Sequence, residues 1–522
     1  MTNTSMTDVL IVGAGPVGLT LASDLARRGI ACRIIDKSPV YPIGTRARGI
    51  RPRTLEVFED LEVLEALLAY AEPPMPTRFY DQEGKLFREA PAPYLPPTPD
   101  VPYPGSLYVS QQYTETVLRK RLAAYGISVE LDRALTGFTQ HADYVVASIQ
   151  HAGSSEDVQA RYLVGCDGGN STVRKCAGIS FLGETREEQS ILFGNLSVSG
   201  VDPSFWHIWT SLPLTLNSMP RSNTWFFTAP LVPDEHGKLP PASVETFQRI
   251  FDENVGLPGV RFYDPTYLSI YQVNIRMVDR YREGRVFLAG DAAHVHTPAG
   301  GQGMNTGIQD AYNLGWKLAH VLRGAPAALL ETYQEERFPI AQHVLASTTA
   351  RGEAWAGPTA NPSTRAQNME KMFQGKDPFG DVTQLSLTYQ GGRLARNLDD
   401  ATGLRAGDRA PDAPCLDAKS GEQVRLFDLL RGTHFTLLVF GDLFAPSLAQ
   451  HFLSHLHVYH ILRPGKATEN GQHILIDNDG HAYRAYAIKN DALFLIRPDG
   501  YIGLSGGRWN DRVIADYLRE VI

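Results

Sequence analysis

The sequence predicts an α/β protein of two or three domains, and three features lead to this prediction. The chain has 522 residues, whereas single hydrophobic cores stop growing near roughly 250 to 300 residues. Its first 36 residues follow the order strand, turn, helix, strand, and residues 186–279 are rich in aromatic and β-branched side chains. We therefore expect a discontinuous nucleotide-binding domain, a sheet-based second domain and a separate C-terminal domain.

Composition and charge narrow the class of protein. Apolar residues make up 43% and charged residues 20% of the chain, which is typical of a globular protein. The formal net charge of −8 argues against nucleic-acid binding, which requires concentrated Lys and Arg. The N-terminus has no signal-peptide pattern, and no apolar run approaches membrane-spanning length. We expect a cytoplasmic protein with no membrane contact.

The cysteines indicate neither a disulfide framework nor a metal site, because they are scattered without Cys-x-x-Cys or zinc-type spacing. We expect structural roles for Cys32, Cys166, Cys176 and Cys415 and no bound metal.

Periodicity and punctuation predict the elements in order along the chain. The first part is predicted to contain strand 8–12, helix 16–28, strand 32–36, helix 53–70, a Pro-rich and aromatic-rich passage 71–104, helix 111–124 and short strands up to residue 164. The later part is predicted to contain the sheet region 186–279, strand 285–289, helix 303–322, helices to residue 356, strands 434–440, 473–476, 492–496 and 501–504, and a final helix.

These elements suggest domain bounds. The nucleotide domain is assigned residues 1–77, 106–185 and 280–360, and the substrate domain residues 78–105 and 186–279. Residues 361–404 are polar with Gly and Pro punctuation, which suits a linker or a loosely packed helical segment. Residues 405–522 form the C-terminal domain, with a turn at Asp499-Gly500 between two of its strands.

The first motif is Gly13-x-Gly15-x-x-Gly18, which lies between a predicted strand and the helix that begins at Pro16. Glycines at these places allow a tight turn and let the backbone approach a pyrophosphate at the helix start. Asp36, beside Lys37, follows the second strand, where its carboxylate can accept hydrogen bonds from a ribose. The motif predicts a Rossmann-like dinucleotide site without separating NAD from FAD.

A second motif favours a flavin. Asp291, within Ala289-Gly290-Asp291-Ala292-Ala293-His294, can bind polyol hydroxyls. The glycine-rich stretch from Pro298 through Gly300, Gly301 and Gly303 to Met304 and Asn305 opens a long helix, whose start can stabilise negative charge on a reduced isoalloxazine.

Together with Cys166-Asp167-Gly168-x-x-Ser171-x-Val173-Arg174, these motifs resemble the single-component FAD-dependent aromatic hydroxylases of the para-hydroxybenzoate hydroxylase fold. The resemblance covers at least residues 8–350. It extends to the C-terminus, because members such as phenol hydroxylase and the polyketide-tailoring hydroxylases carry a thioredoxin-like domain there. That domain lacks paired cysteines in this chain, where Gly441-Asp442-Leu443-Phe444-Ala445-Pro446 follows the first strand, so we expect packing or assembly rather than disulfide exchange.

The resemblance implies site residues position by position. Gly13, Gly15, Gly18 and Asp36 would hold the ADP part of FAD, Asp291 the ribityl or pyrophosphate region, and Gly303, Met304 and Asn305 the pyrimidine ring. Arg46 resembles the family arginine near the FAD phosphates, and Gln111, four residues before Glu115, the helix glutamine beside the flavin. The segment from Asp167 to Arg174 is implied to serve both FAD and NAD(P)H, so Asp167 should matter for folding and for reduction.

The implied activity is hydroxylation of a phenolic or polycyclic aromatic substrate, with NADPH or NADH and O2, through a flavin C4a-hydroperoxide. No side chain is assigned as catalytic. Pro298, Gly300 and Gly301 should shape the flavin site, and His294 and His296 are candidate bases. Trp206, Trp225 and Phe227 are candidates to line the substrate site, with core packing as the alternative.

Other interpretations stay open at this point. A flavin oxidase or dehydrogenase, a Baeyer-Villiger-type oxygenase, or a non-catalytic flavin-binding or assembly protein would carry the same FAD motifs. The sequence leaves the substrate, the choice of nicotinamide cofactor, and the state of the protein as monomer or homodimer undetermined.

Overall fold

The computed structural model describes residues 5–522 apart from residues 82, 232, 234, 235, 237, 357–360, 374–379, 400–402, 442–447, 449 and 466–472. The first part of the chain contains β1 (Ser5–Val12), α1 (Pro16–Arg27), β2 (Cys32–Ile35), β3 (Gly49–Ile50), α2 (Pro52–Asp60), α3 (Leu64–Leu68), β4 (Thr77–Tyr80), β5 (Leu86–Ala90), β6 (Leu107–Tyr108), α4 (Gln111–Ala124), β7 (Ala134–Gln140), β8 (Val145–His151), β9 (Ser154–Gly165) and α5 (Thr172–Cys176).

The middle of the chain is mostly strand and then helix. It contains β10 (Phe181–Ser199), β11 (Trp206–Trp209), β12 (Leu214–Met219), β13 (Thr224–Leu231), α6 (Val244–Val255), β14 (Arg261–Val278), β15 (Arg282–Glu283), β16 (Val286–Leu288), β17 (His294–Val295), α7 (Gly303–Leu322), α8 (Glu331–Ala356) and α9 (Pro362–Phe373), with 3-10 turns at Gly290–Ala292 and Ala327–Leu330.

The C-terminal part returns to short alternating elements. It contains β18 (Arg396–Asn397), β19 (Pro414–Asp417), β20 (Gln423–Arg425), α10 (Leu426–Leu430), β21 (Phe435–Phe440), α11 (Gln450–Leu453), β22 (Leu456–Leu462), β23 (Ile474–Ile476), α12 (His481–Ala485), β24 (Ala492–Ile496), β25 (Ile502–Gly506) and α13 (Asp511–Val521).

The first sheet has the order β15-β16-β9-β1-β2, with β8 and β7 added beside β9. Strands β2, β1, β9 and β16 are parallel, and Ile11 is paired with Ile34 on one side and Val164 on the other. Residues Val9 to Ile11 are fully buried, as expected for a parallel strand covered on both faces. The predicted βαβ unit is therefore confirmed, and the sheet is assembled from segments far apart in sequence.

The second sheet has the order β17-β14-β10-β13-β12-β11-β4-β5. Its β4 and β5 come from the predicted Pro-rich passage, residues 71–104. Helix α6 covers one face, where Phe247 packs against Phe227 with ring centroids 4.7 Å apart. The opposite face of β10, β12 and β13 is turned towards the first domain, to which Asn195 and Asn217 make hydrogen bonds.

The third sheet has the order β18-β25-β24-β21-β22-β23-β19-β20 and forms the C-terminal part of the molecule. Strand β21 is buried along its whole length, between parallel β22 and antiparallel β24. The strands predicted near residues 434, 473, 492 and 501 are confirmed within two residues. The likeness of this domain to thioredoxin stays a prediction, and residues 442–446, which replace the cysteine pair, lie outside the described residues.

Two predictions differ from the structure. The helix predicted over residues 53–70 is broken into α2 and α3, because Glu62 adopts a left-handed φ of 58° and both of its neighbours, Leu61 and Val63, are buried. Residues 361–404 were expected to be loosely packed. Within the described part, however, Gln384 is fully buried and accepts a 2.7 Å hydrogen bond from Gln309 of α7, and Leu394 is buried in the main core.

The four cysteines differ in their burial. None of Cys32, Cys166, Cys176 and Cys415 is in a disulfide, and burial raises the pKa of the Cys32 thiol to about 12. Cys32 and Cys415 are buried, in agreement with a packing role, whereas Cys176 is exposed. Within the part of the chain that the structure describes, no helix is both long enough and apolar enough to span a bilayer.

Candidate active site

The glycine turn between β1 and α1 combines close packing with one open position. A Cβ atom on Gly13, whose φ is 103°, would lie 2.4 Å from the carbonyl oxygen of Cys166, and one on Gly18 would lie 2.0 Å from that of Gly13. By contrast, a Cβ on Gly15 would meet no atom within 4 Å. Since Gly15 is the N-cap of α1 and Pro16 opens the helix, the helix start has free space in which a pyrophosphate can sit.

Asp36 lies directly beside this turn. Its Oδ2 accepts a 2.8 Å hydrogen bond from the backbone N–H of Ala14, and its Oδ1 accepts one of the same length from Ser38. A carboxylate oxygen can accept more than one hydrogen bond, so Asp36 retains capacity for a ribose hydroxyl. Its neighbour Lys37 is exposed, and its predicted cofactor role stays a prediction.

Residues 44–51 connect the first domain to the second sheet and are held at three points. The N–H of Thr45 donates to Asn195 of β10 at 2.7 Å, and that of Ala47 donates to Gln111 of α4 at 3.2 Å. Asn305 of α7 donates to the carbonyl of Gly49 at 2.9 Å. The segment is therefore fixed to the second sheet, to α4 and to the start of α7 at once.

Two predicted cofactor residues turn out to position this segment. Gln111 uses its oxygen for Ala47 and donates from Nε2 to Glu115 at 2.8 Å. Asn305, which is fully buried, also donates to Gly301 at 3.0 Å and accepts from the N–H of Arg51 at 2.8 Å. Both side chains thus form hydrogen bonds within the protein, and the predicted cofactor contacts of these two residues stay predictions.

Asp291 occupies the 3-10 turn after β16. Its side chain is exposed to solvent, yet burial among surrounding protein raises the pKa of its carboxyl group, while the charges of His294 and Arg46 oppose the rise. A carboxylate that is exposed to solvent but has protein on most sides lies in a cleft. Arg46, also exposed, lies at the same cleft and donates to the hydroxyl of Tyr267 at 3.1 Å.

His294 holds the Asp291 turn rather than facing the cleft. Its Nε2 is 2.7 Å from Oδ2 of Asp310 on α7, and that oxygen also accepts from the N–H of Gly290 at 3.1 Å. Arg337 donates to the other oxygen at 2.7 Å. Although burial opposes ionisation, Arg337 and His294 keep the pKa of Asp310 below its ordinary value. This buried group locks α7 against the turn.

Asp167 stabilises its own turn. Its Oδ2 accepts from the N–H groups of Thr172 at 2.7 Å and Val173 at 3.1 Å, and its Oδ1 accepts from the hydroxyl of Ser171. Arg174 then links this turn to the Asp291 turn by donating to the carbonyl of Ala292 at 2.9 Å. These contacts support the predicted role of Asp167 in folding.

The loop from Pro298 to Gly303 borders the cleft. Gly300 and Gly301 have φ values of 85° and 59°, which favour glycine, and Arg51 donates to the carbonyl of Gly300. Gly303 and Met304, at the start of α7, are partly exposed. His296 lies under this helix start, and burial lowers its pKa to about 4, so its ring is neutral at pH 7. Its Nε2 is buried and has no hydrogen-bond partner among the described residues.

Strand alternation separates the three aromatic candidates. Trp225 and Phe227 lie on the face of β13 that packs in the core with α6, which agrees with core packing, the alternative to their lining a substrate site. Phe226, between them, points to the opposite face, where the Arg48 guanidinium lies 4.8 Å from its ring centroid. Trp206 shares that face, 4.9 Å from Arg48.

Several residues of this region were missed by reasoning from the sequence. Arg48, Asn217 and Phe226 meet on the sheet face, and Asp310 with Arg337 anchors α7. The alternation of β13 could have indicated Phe226. The others carry no sequence signal of their own, because each is defined by a contact with a distant segment.

The arrangement fits an FAD molecule. Three places have room or exposed surface for it: the open helix start at Gly15, the exposed carboxylate of Asp291 and the partly exposed start of α7. They supply, in turn, N–H groups for a pyrophosphate, an acceptor for polyol hydroxyls, and a positive helix end for an electron-rich ring.

Comparison with known proteins agrees with this fit. Residues 6–348 match the family model of the FAD binding domain. The chain is 40% identical to a flavin-dependent monooxygenase of Mycobacteroides abscessus, over 98% of this chain and 100% of the relative. It is 32% identical to pentachlorophenol 4-monooxygenase of Sphingobium chlorophenolicum, over 96% of this chain and 94% of the relative.

Solved structures extend the similarity to the full length. Anhydrotetracycline hydroxylase from Streptomyces rimosus superimposes with a TM-score of 0.76 at 27% identity, and 99% of each chain is covered. Aklavinone-11 hydroxylase, solved with FAD and aklavinone, gives a TM-score of 0.77 at 25% identity, over 100% of this chain and 99% of that one. The chain thus belongs to the family of FAD-dependent aromatic monooxygenases.

Proposed function

We propose that the substrate is a phenol or a polycyclic phenolic compound, and that its ring lies between the start of α7 and the aromatic face of the second sheet. The observation that carries this proposal is the cluster of Phe226, Trp206 and Tyr108 around Arg48, on the face opposite the α6 core. Ring faces of this kind stack on planar aromatic ligands, and such clefts are typical of small-molecule sites.

The relatives support this substrate class by their names. One is a pentachlorophenol monooxygenase, and 6-methylpretetramide 4-monooxygenase of Streptomyces rimosus is 33% identical over 96% of this chain. These names span a single ring and a polycyclic compound. The proposal therefore covers both single-ring and polycyclic phenols.

Bound FAD would supply the hydride-accepting and O2-activating chemistry by which NAD(P)H and O2 place one oxygen atom on the ring and return the other as water. The residues of this chain bind FAD and orient it. Gly13, Gly15, Gly18 and Asp36 hold the ADP part, Asp291 accepts from polyol hydroxyls, and the N–H groups of residues 303 and 304 stabilise negative charge on the ring system. The loop from Pro298 to Gly301 excludes water.

We do not assign a base to either histidine. His294 is held by Asp310 at 2.7 Å, and burial leaves His296 neutral with its Nδ1 2.9 Å from the carbonyl oxygen of Thr297. NAD(P)H is proposed to bind transiently near the turn of residues 167–174, whose side chains otherwise serve folding.

The test is NAD(P)H oxidation by the FAD-loaded protein across simple and polycyclic phenols, with oxygenated product and peroxide quantified under labelled oxygen. We expect stimulated oxidation and one labelled oxygen atom in a new ring hydroxyl. Peroxide without labelled product would instead indicate an oxidase, and a lactone or ester would indicate Baeyer-Villiger chemistry. No NAD(P)H oxidation with any phenol in a correctly loaded protein would favour a flavin-binding role.

A further inference from the structure

Arg48 lies in an aromatic cage on the face of the second sheet. Its guanidinium carbon is 4.8 Å from the ring centroid of Phe226, 4.9 Å from that of Trp206 and 5.7 Å from that of Tyr108. Nη2 donates a 2.7 Å hydrogen bond to Oδ1 of Asn217 on β12. Ring faces attract a cation but do not neutralise it, and the amide oxygen satisfies one of five N–H donors.

The charge of Arg48 has no close counter-ion. Among the described residues, no carboxylate lies within 4 Å of it, unlike the buried Arg337 and Arg497, which are each paired with acidic side chains. Glu72 attracts it from a longer range, and its oxygens accept hydrogen bonds from the N–H groups of Arg221 at 2.9 Å and Ser222 at 3.2 Å. Burial lowers the pKa of Arg48 to about 10, still well above neutrality.

A buried cation without a partner is costly, and such groups are normally paired. Arg48 is nevertheless partly exposed, and none of its nitrogens is among the described side-chain atoms that are buried without a hydrogen-bond partner. The backbone on either side of it is fixed, because Ala47 is bonded to α4 and Gly49 to Asn305 at the start of α7. The main chain on either side of Arg48 is thus tied to α4 and to the start of α7.

We propose that Arg48 binds an anionic oxygen of the aromatic substrate, a phenolate or a ring carboxylate, and so selects ionised aromatic compounds over neutral ones. This inference rests on the proposed function, since it places the substrate ring in the same cage. A guanidinium suits the task because it stays charged and offers several donors in one plane. The substrate ring would pack beside Phe226 and Tyr108, which are partly exposed, while Arg48 fixes its orientation.

The test measures binding by the oxidised, FAD-loaded protein without NAD(P)H. Three probes of similar shape are titrated against the flavin absorbance at a pH where the first is ionised: 4-nitrophenol, 4-nitrobenzoate, and 4-nitroanisole, which carries no charge. We expect at least one anion to bind about tenfold more tightly than 4-nitroanisole, as a charged hydrogen bond would give. Which anion binds more tightly distinguishes a phenolate from a carboxylate ligand.

The variants are Arg48→Gln, Arg48→Lys and the control Arg78→Gln. We expect Arg48→Gln to lose the roughly tenfold preference for the anion while 4-nitroanisole binding changes less than about twofold, and Arg48→Lys to keep part of the preference. Arg78 also lies over an aromatic ring, Phe205, but is already paired with Glu89 and Asp202 at 3.0 Å, so its variant should bind like the wild type. FAD content and the unfolding midpoint check folding.

Two outcomes overturn the inference: a wild type that does not prefer either anion, or an unchanged preference in Arg48→Gln. These differ from a failure of the proposed function. A protein that prefers the anion through Arg48 yet forms no hydroxylated product would retain the anion site and refute the hydroxylase proposal. A protein that hydroxylates phenols but binds them without Arg48 would support the hydroxylase proposal and refute the anion site.

Discussion

At the scale of single residues, the glycines of the first turn have different physical reasons to be glycine. Gly18 is packed against the backbone of Gly13, so that even a methyl group would overlap it. Gly15 has open space around it and a φ of −74°, which any residue can adopt. Gly18 is therefore needed for packing of the fold, whereas Gly15 leaves room for a ligand.

This difference predicts opposite behaviour for two alanine variants. Gly18→Ala should destabilise the protein by about 1–3 kcal/mol, as overpacking does, and lower its FAD content. Gly15→Ala should keep the unfolding free energy within about 1 kcal/mol but weaken FAD binding about tenfold or more, because the methyl group occupies the pyrophosphate space. Urea unfolding of the apoprotein and FAD titration measure the two effects. Equal loss of stability in both variants would contradict the assignment.

Residue identity alone does not reveal which side chains of a motif also hold the protein's own backbone. Asn305, Gln111 and Asp167 are predicted at the cofactor, and in the structure the side chains of all three bond protein backbone. An amide or carboxylate near a flavin can serve either purpose. The choice depends on which unpaired N–H or C=O the fold brings within reach, and that is a property of distant segments.

At the scale of elements, α7 links the cofactor cleft to the C-terminal domain. Its first turn borders the cleft, and near its other end His320 packs edge-on against Phe435 of β21, with ring centroids 5.7 Å apart. Burial, and then the charges of Arg28, His455 and Arg323, lower the pKa of His320 to about 3, although Asp24 acts in the opposite direction. The helix therefore packs best when this ring is neutral.

This depressed pKa predicts acid sensitivity. Because the folded pKa lies below the ordinary value of 6.5, the contribution to stability is complete above pH 6.5 and is lost as the pH falls towards 3. Between pH 6.5 and 4, His320 should account for about 3 kcal/mol of lost unfolding free energy. Urea unfolding of wild type and His320→Gln at both pH values tests this. A loss of equal size in both proteins would show that His320 does not titrate in this way.

At the scale of the whole molecule, a network of buried charged side chains joins the C-terminal domain to the nucleotide domain. Arg497 donates to both oxygens of Glu336 on α8, at 2.6 and 2.9 Å, and Lys317 of α7 donates to Glu336 at 2.7 Å. Arg53 of α2 donates to the carbonyl of Asp499 at 2.6 Å. The turn predicted at Asp499-Gly500 is thus part of the interface and not merely a connection between two strands.

Breaking this network should be costly. Arg497→Ala leaves Glu336 buried with one cation fewer, and such losses cost about 3–5 kcal/mol. The matched control is Arg393→Ala, since Arg393 pairs with Glu331 and Glu335 at the surface, where a pair contributes about 0–1 kcal/mol. Unfolding followed by tryptophan fluorescence reports on the network, because Trp316 donates to Asp499 at 3.0 Å. Similar midpoints for the two variants would refute the structural role of the network.

The sequence by itself determined the local features of this protein: the βαβ unit, the glycine turn with Asp36, the Asp291 motif, the family, and most strands of the C-terminal domain. These follow from short-range rules of periodicity, turn geometry and motif spacing. The tertiary structure alone decided the break at Glu62, the pairing of His294 with Asp310, the burial of Gln384, and the faces taken by Trp225 and Phe226. It also left Arg48 as a cation among aromatic rings. Each of these depends on contacts between segments far apart in the chain, which local patterns do not encode.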